Sequence, residues 1–236
     1  MITKKTANNY LPDFVNGEKI LIDKPLYNTS FDIVYKIRKA TGVKKVGHAG
    51  TLDPMATGLL IVCTGKMTKD ISSMLGYYKT YTGTFEIGKT TPSFDRETEF
   101  VSEKSVDGID EEIIKKTAKS FLGFSLQTPP MYSAVKKNGK SLYKFARKGI
   151  EVERRQREIN ISEFEITRIE LPDISFRITS SSGTYIRVIA HEFGQMLGCG
   201  AYLKDLRRTF INNYNVDEAL EIKDFVEYAK QFTIAV

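Results

Sequence analysis

The 236-residue sequence has few of the residues that build disulfides and metal sites. Its two cysteines, Cys63 and Cys199, cannot form a disulfide framework, which is typical of the reducing cytoplasm. Two cysteines and two histidines are also too few for a zinc site of the usual kind. No apolar run reaches the roughly 18 residues of a transmembrane helix, and no apolar core follows the N-terminal lysines as in a secretory signal. We therefore expect a soluble, cytoplasmic, globular protein.

Sequence motifs for nucleotide, metalloprotease and serine-hydrolase sites are missing as well. The segment 42–47 is followed by His48 where a phosphate-binding loop needs lysine, and Gly198-Cys199-Gly200 lacks the third glycine of a dinucleotide site. His191 has no second histidine at metalloprotease spacing, so we expect it on a helix surface or packed in the fold. No Gly-x-Ser-x-Gly turn occurs. These absences disfavour nucleotide, metal and serine-hydrolase chemistry.

The positive charge of the chain is concentrated in one segment. The chain has 35 lysines and arginines against 29 aspartates and glutamates, a net charge of +6. Residues 127–158 alone contain nine basic and three acidic residues, which also gives +6, so the rest is close to neutral. Such a segment can be a merely solvated surface, but its concentration also suits a polyanionic partner.

Hydrophobic patterning predicts an α+β fold with a mixed, mostly antiparallel central sheet flanked by helices. Strands are predicted over 18–23, 59–63, 79–87, 159–170 and 174–179, and helices over 31–41, 110–122, 185–197 and 217–231. The continuous apolar run 59–63 indicates burial of that strand on both sides. No linker rich in proline, serine or glycine divides the chain, so we expect one domain over residues 1–236.

Residues 47–58 form the segment most suited to displaying a reactive side chain. Three glycines and a proline within it predict a tight loop between a helix and the buried strand. Asp53 precedes Pro54, which favours an extended backbone and holds the carboxylate away from helix capping. The residues alone also allow the simpler interpretation that Asp53 begins a turn.

Six motifs follow one another along residues 18–208. The loop motif reads Gly-His-Ala-Gly-Thr-Leu-Asp-Pro over residues 47–54. The others are Asp23-Lys24-Pro25 with Thr29-Ser30-Phe31, Lys79-Thr80-Tyr81, Met131-Tyr132-Ser133-Ala134-Val135-Lys136, Gly183-Thr184-Tyr185-Ile186-Arg187, and Gly198-Cys199-Gly200-Ala201 with Leu206-Arg207-Arg208. The ordered set resembles the motifs of the TruB-type pseudouridine synthases, which isomerise a uridine in the T-loop of tRNA.

The resemblance implies the pseudouridine synthase fold and conversion of a T-loop uridine (position 55 of tRNA) to pseudouridine by base flipping, with no cofactor or metal. Asp53 occupies the position of the catalytic carboxylate, acting either as a nucleophile or as a base at the ribose. Arg187 matches the cation that keeps this carboxylate ionised. Tyr81 matches the tyrosine that stacks on the target base, although strand alternation alone would make it a core residue.

The resemblance also assigns residues that hold the substrate. His48 fills the stack that the flipped base leaves, Tyr185 and Leu206 line the uracil pocket, and Lys24 lies with them. The basic segment 127–158 resembles the family's RNA-embracing insertion, with Tyr132 or Tyr143 as flat surfaces. Its candidate contacts to the RNA backbone are Lys136, Lys137, Lys140, Lys144 and Arg147.

The chain departs from the family pattern in two places. Tyr27 and Asn28 stand where a glycine is usual, which affects the backbone near Lys24. Only 28 residues follow Arg208, too few for the C-terminal PUA domain of many relatives, so we expect the catalytic domain alone to bind a tRNA T-stem-loop, without a guide RNA. We also expect a monomer. A non-catalytic tRNA-binding or folding module is the alternative. A hydrolase that uses Asp53 is a third possibility, which the missing metal and phosphate motifs do not support.

Overall fold

The computed structural model describes residues 1–7, 10–137 and 139–232. The strands in these residues are β1 Lys19–Lys24, β2 Val46–His48, β3 Ala56–Thr64, β4 Lys79–Ile87, β5 Lys89–Thr90, β6 Ser102–Glu103, β7 Gly123–Gln127, β8 Lys136–Lys137, β9 Lys140–Ser141, β10 Arg157–Glu170, β11 Asp173–Ser180, β12 Ala201–Ile211, β13 Tyr214–Asn215 and β14 Leu220–Glu221. The helices are α1 Ser30–Thr41, α2 Ile71–Leu75, α3 Glu111–Ser120, α4 Leu142–Ala146, α5 Ile186–Met196 and α6 Ile222–Lys230. No helix within these ranges has the length and apolar character needed to cross a membrane.

The chain divides into two compact units, and the divisions fall inside β4 and β12. The first unit contains Met1–Tyr81 and the chain from Leu206 onward, and the second contains Thr82–Asp205. β4 therefore begins in the first unit and ends in the second, whereas β12 begins in the second and ends in the first. The expectation of one catalytic domain over residues 1–236 stays a prediction.

In the first unit, β3 is buried on both of its faces. It pairs antiparallel with β1 and β2 and parallel with β12, and β1 pairs parallel with β14. Side chains on one face, including Leu60 and Val62, pack with residues of α1 and α6. Those on the other face, including Leu59 and Ile61, pack around Met74. The predicted buried strand is confirmed, and its two-sided burial explains why the apolar run is continuous.

Helix α1 begins at Ser30, one residue before the predicted range, and ends where its sequence predicts. The Thr29 hydroxyl accepts a hydrogen bond from the Asp32 amide at 3.0 Å, and the Asp32 carboxylate accepts one from the Thr29 amide at 2.8 Å. This reciprocal capping box satisfies two amides that a helix start leaves open. Gly42 ends the helix in the left-handed conformation at φ 68°, where glycine lacks the steric penalty of a side chain.

The second unit packs helices on an antiparallel sheet. β10 pairs with β7 and β11, which confirms the predicted hairpin, and α3 and α5 confirm two predicted helices. Phenylalanine rings form its core, with Phe85 and Phe176 at a centroid distance of 4.2 Å. The other rings of this cluster are Phe121, Phe164 and Phe193. Strand pairs in both units are mostly antiparallel with a parallel minority, so the α+β class is confirmed.

Several elements, among them β12 and the last predicted helix, differ from the patterning. β12 was not predicted, because its sequence AYLKDLRRTFI mixes charged and apolar residues without alternation. The prediction of a helix over 217–231 is wrong in its first part, where a 3-10 turn and β14 precede α6. β14 forms because Leu220 and Glu221 pair with Ile22 and Asp23, a long-range contact that local sequence does not reveal.

Candidate active site

The loop that carries Asp53 is shorter than the sequence predicts. β2 and β3 form a hairpin in which His48 pairs with Val62, so the connection covers only residues 49–55. The loop therefore joins two strands rather than a helix and a strand. The Ala49 amide extends the hairpin by donating to the Ile61 carbonyl at 2.9 Å.

The loop is tied to the start of α1. The Ser30 hydroxyl accepts a hydrogen bond from the Leu52 amide at 2.9 Å and donates to the Leu52 carbonyl at 3.2 Å. The Tyr27 amide donates to the Pro54 carbonyl at 2.8 Å, and the Asp53 carbonyl accepts from the Ala56 amide at 3.0 Å. Asp53 thus lies between anchored neighbours on both sides, which restrains its half-buried side chain.

Arg208 on β12 ties the loop from the other side. Its guanidinium is almost completely buried and donates to the carbonyls of Leu59 at 2.8 Å, Gly50 at 3.2 Å and Thr51 at 3.4 Å. A planar guanidinium presents five donors in a rigid fork, so it can serve several fixed acceptors at once. Gly58 lets β12 approach, because a Cβ at this position would lie 2.3 Å from the Arg208 carbonyl oxygen.

The same guanidinium places Asp53 and Tyr81 in one electrostatic cluster. Burial lowers the pKa of Arg208, and the Tyr81 hydroxyl and the Asp53 carboxylate oppose this fall. Tyr81 is itself buried at the end of β4 that belongs to the first unit. Both predictions for Tyr81 therefore stay open, since a ring in this position can pack and also reach a substrate.

Two buried lysines add positive charge to the cluster. The ammonium of Lys24 donates to the carbonyls of Pro25 at 2.9 Å and Asn28 at 2.7 Å, and that of Lys79 donates to Leu75 at 3.0 Å and Tyr77 at 2.6 Å. Burial lowers the pKa of Lys24 to about 8, with Asp53 raising it and Arg208 lowering it further. Burial and Arg208 lower the pKa of Lys79 to about 8 as well. Lys24 and Arg208 thus both interact with Asp53, and Lys79 adds positive charge beside Arg208.

The depressed pKa of Lys24 predicts a dependence of stability on pH. Between about pH 8 and the ordinary lysine value of 10.5, the unfolded chain binds a proton that the folded chain has lost, so stability rises with pH through this window. Lys24→Met removes this contribution. We expect its free energy of unfolding, relative to the wild type, to fall by up to about 3 kcal/mol from pH 8 to 10.5. Urea denaturation at several pH values measures it, and parallel pH curves would contradict the assignment.

His48 and Leu206 lie at the two ends of the Asp53 loop. Burial, and then the charge of Arg208, lower the pKa of His48, so its imidazole is neutral near pH 7. Leu206 pairs with Ala56, three residues after Asp53. The first unit thus contains five of the predicted site residues, namely Lys24, His48, Asp53, Tyr81 and Leu206.

Arg187, in the second unit, is fixed by partners that the sequence did not indicate. It is buried on α5 and donates to the carbonyls of Ser93 at 3.2 Å and Tyr132 at 3.0 Å. Its Nε lies 3.5 Å from the carboxylate of Asp95, which is also buried. The pairing of Arg187 with Asp53 stays a prediction. His191 packs as expected, with its ring stacked on Phe94 at 4.0 Å.

Tyr185 is held through its backbone at the start of α5. The buried Gln127 side chain accepts a hydrogen bond from the Tyr185 amide at 2.7 Å and donates to its carbonyl at 3.2 Å. Both backbone groups are thereby satisfied, and Tyr185 stays partly exposed. This position is compatible with the predicted lining of a uracil pocket, which stays a prediction.

The candidate RNA-backbone residues lie around β8, β9 and α4. Lys136, Lys140, Lys144 and Arg147 are exposed, whereas Lys137 is partly buried and donates to the Glu153 carbonyl at 2.8 Å. The Arg147 guanidinium lies 4.6 Å from the centre of the Tyr143 ring, a cation–π contact. Four of the five cations are thus open to a phosphate. No group of three or more potential metal ligands occurs among the described residues.

Comparison with known proteins shows to which family this chain belongs. Residues 38–186 match the model of the TruB family pseudouridylate synthase N-terminal domain. The chain belongs to the TruB family. A tRNA pseudouridine synthase B from Flavobacterium johnsoniae is 49% identical over 222 residues, covering 91% of this chain and 97% of the relative. One from Chlorobaculum tepidum is 51% identical over 216 residues, covering 89% and 90%.

Solved structures place the TruB-family chain in the pseudouridine synthase fold, as predicted. A crystal structure of a Cbf5-Nop10-Gar1 complex matches with a TM-score of 0.72 and 31% identity, covering 91% of this chain and 55% of that chain. An H/ACA RNP bound to a substrate RNA containing 2'-deoxyuridine matches with a TM-score of 0.69 and 27% identity, covering 93% and 56%. This chain spans about half the length of these structural relatives.

Three residues that position the site of this TruB-family chain were given no function in the sequence analysis. Arg208 is the last residue of the motif Leu206-Arg207-Arg208, and its place in this motif is the sequence signal that points to it. Gln127 begins the basic segment, and Asp95 lies in a region without any recognised motif. Each acts through long-range contacts to a carbonyl, a backbone amide or a charged side chain, which residue spacing does not predict.

Proposed function

We propose that this protein isomerises a uridine to pseudouridine in the T-loop of tRNA, by an Asp53-dependent reaction that needs no cofactor. The observation that carries the proposal is Asp53 on an anchored loop beside buried cations, in a chain of the TruB family. Similarity to relatives named tRNA pseudouridine synthase B over about nine-tenths of the chain supports tRNA as the substrate.

The reaction moves one bond of the base and leaves the atoms of the nucleotide unchanged. The bond from N1 of uracil to C1′ of the ribose breaks, the base turns, and C5 joins C1′ while the proton of C5 is lost and N1 gains one. The Asp53 carboxylate either attacks C1′ or removes a proton from the ribose. Lys24 and Arg208 interact electrostatically with this carboxylate and place positive charge around the reacting group.

The other site residues hold the substrate. Tyr81 stacks on the target base, and Tyr185 and Leu206 line the pocket for the turning uracil. A flat, neutral His48 fills the gap that the flipped nucleotide leaves in the RNA stack. We further propose that Arg187 adds a cation beside Asp53 when the substrate is bound.

The basic segment supplies affinity for RNA. Its exposed cations Lys136, Lys140, Lys144 and Arg147 contact phosphates of the stem, which is an interaction independent of base sequence. Binding therefore weakens as salt concentration rises. We propose that the protein recognises the stem-loop itself, as a monomer in the cytoplasm and without a guide RNA.

The test uses the purified protein and an unmodified T-stem-loop transcript. We expect chemical mapping to find pseudouridine at the target position and none when the target uridine is replaced by cytidine. Absence of product at equimolar enzyme, despite RNA binding, would favour the non-catalytic tRNA-binding module. A transcript with 5-fluorouridine at the target separates the two routes, because a stable covalent adduct on Asp53 is expected only from attack at C1′.

A further inference from the structure

Three aromatic side chains are exposed at and just before α1. Tyr27, Phe31 and Tyr35 have relative exposures of 70%, 64% and 56%. Phe31 and Tyr35 are four residues apart in the helix, so they are neighbours on its surface. We call Tyr27, Phe31 and Tyr35 the aromatic strip. More than half of the surface of each of these residues is therefore left open.

The aromatic strip is joined to the Asp53 loop by hydrogen bonds. The Tyr27 amide donates to the carbonyl of Pro54, the residue after Asp53, at 2.8 Å. Ser30, which begins α1, bonds to both backbone groups of Leu52, the residue before Asp53. Tyr27 holds a left-handed backbone at φ 62°, which is unfavourable for a residue with a side chain and is typical of functional sites. The backbone that carries the strip is therefore bonded to both neighbours of Asp53.

The charges along the strip suit a polyanion. Lys39 follows Tyr35 by four residues on the exposed side of α1, and Lys36 donates to the Asn28 side chain at 2.8 Å beside Tyr27. Asp32 is the acidic residue of this face, and its carboxylate accepts hydrogen bonds from Thr29 in the capping box. Exposed rings interleaved with lysines are typical of surfaces that bind single-stranded nucleic acid. Protein interfaces are instead depleted in lysine.

We propose that the aromatic strip binds unpaired bases of the RNA substrate next to the target uridine by stacking. This inference rests on the proposed function, because it takes RNA as the substrate. A base flipped towards Asp53 leaves its loop neighbours unstacked at the mouth of the site, where flat side chains can receive them. Lys36 and Lys39 lie where the phosphates of these nucleotides pass.

A tryptophan placed in the strip gives a direct readout. The chain contains no tryptophan, so Phe31→Trp introduces a single indole whose ring can still stack. In an Asp53→Asn background, which prevents turnover, we expect the T-stem-loop to quench its emission and to bind with wild-type affinity. A duplex RNA of the same stem without the loop is expected to leave the emission unchanged.

Removal of the rings is expected to weaken binding. In the same Asp53→Asn background, Phe31→Ser with Tyr35→Ser should raise the Kd for the T-stem-loop at least about tenfold. Leucine at both positions should behave like serine, because it is apolar but not flat. The matched control, Leu11→Ser with Val15→Ser, removes two apolar side chains with exposures of 80% and 73% from the same unit and should leave the Kd unchanged.

Three outcomes would overturn the proposal. They are an unquenched indole emission from the Phe31→Trp variant with RNA bound, an unchanged Kd for the serine variant, and equal Kd values for leucine and aromatic variants. Light scattering tests whether a second copy of the chain covers the strip instead. If the wild type is a dimer, and the serine variant is a monomer with unchanged RNA affinity, the strip serves self-association. Pseudouridine formation by the wild type is measured separately. It would persist if only the strip assignment fails, whereas its absence defeats the proposed function.

Discussion

Asp53→Asn is expected to reduce pseudouridine formation at least about a thousandfold, because a carboxamide can neither attack C1′ nor accept a ribose proton. The substitution keeps the size of the side chain and leaves the backbone ties of the loop intact. It removes the negative charge between Lys24 and Arg208, so RNA affinity should be equal or higher. Single-turnover conversion and filter binding on one transcript measure the two effects separately.

Asp53→Glu provides the matched control for this prediction. It keeps the charge but moves the carboxylate outward by one methylene, and a misplacement of this size costs about a hundredfold in rate. The expected order is therefore wild type, then Asp53→Glu, then Asp53→Asn. If Asp53→Asn converts the uridine within tenfold of the wild-type rate, another group carries out the chemistry.

Arg208→Met is expected to produce the second largest loss. It removes the guanidinium donor from the carbonyls of Leu59, Gly50 and Thr51. The Leu59 carbonyl is buried, so leaving it without a partner costs about 1–3 kcal/mol, whereas the bonds to Gly50 and Thr51 are only partly buried and cost less. Relief from burying a charge offsets part of this cost. The loop then holds Asp53 less firmly, so we expect kcat to fall about a hundredfold with little change in KM. Arg208 is a positioning residue in this account.

Two comparisons separate positioning from general instability. Arg207→Met changes the preceding residue of β12, whose guanidinium pairs with Asp23 at 2.7 Å on a partly exposed surface. It should cost at most about 1 kcal/mol with kcat retained. In an Asp53→Asn background, Arg208→Met should reduce the residual rate no further. Additive losses in that background, or a change confined to KM, would argue against a positioning function.

The elements with strong local signals were predictable from the sequence. The capping box of α1 needs only Thr29 and Asp32 at the correct spacing, and the apolar run of β3 reports burial on two faces. β12 could not be found in this way, because Arg208 becomes buried only through strand pairing with β3 and close approach at Gly58. The charge of Arg208 argues against burial, and only the structure shows that the carbonyls of Leu59, Gly50 and Thr51 accept its hydrogen bonds.

The site was predictable to a similar degree. Its loop and the family motif were enough to identify Asp53 as the candidate catalytic residue. The charged side chains that surround Asp53 could not be predicted in the same way. The low pKa of Lys24 arises from burial, and it is modified by Asp53 and Arg208, which are distant in sequence. Arg187 is fixed by Asp95, for which no sequence pattern exists. Residue identity thus predicts the reacting group, whereas the electrostatics around it depend on tertiary contacts.

The hydrogen bonds along residues 49–54 also limit how the length of this loop can vary. Each of these six consecutive residues has a backbone group bonded to another part of the chain, contributed in turn by β3, Arg208, Ser30, Ala56 and Tyr27. The loop has no free segment that could accommodate an insertion or deletion of one residue, because such a change shifts several donors out of register with their acceptors. Natural and designed variants of this protein should therefore change length elsewhere and keep this hairpin connection at seven residues.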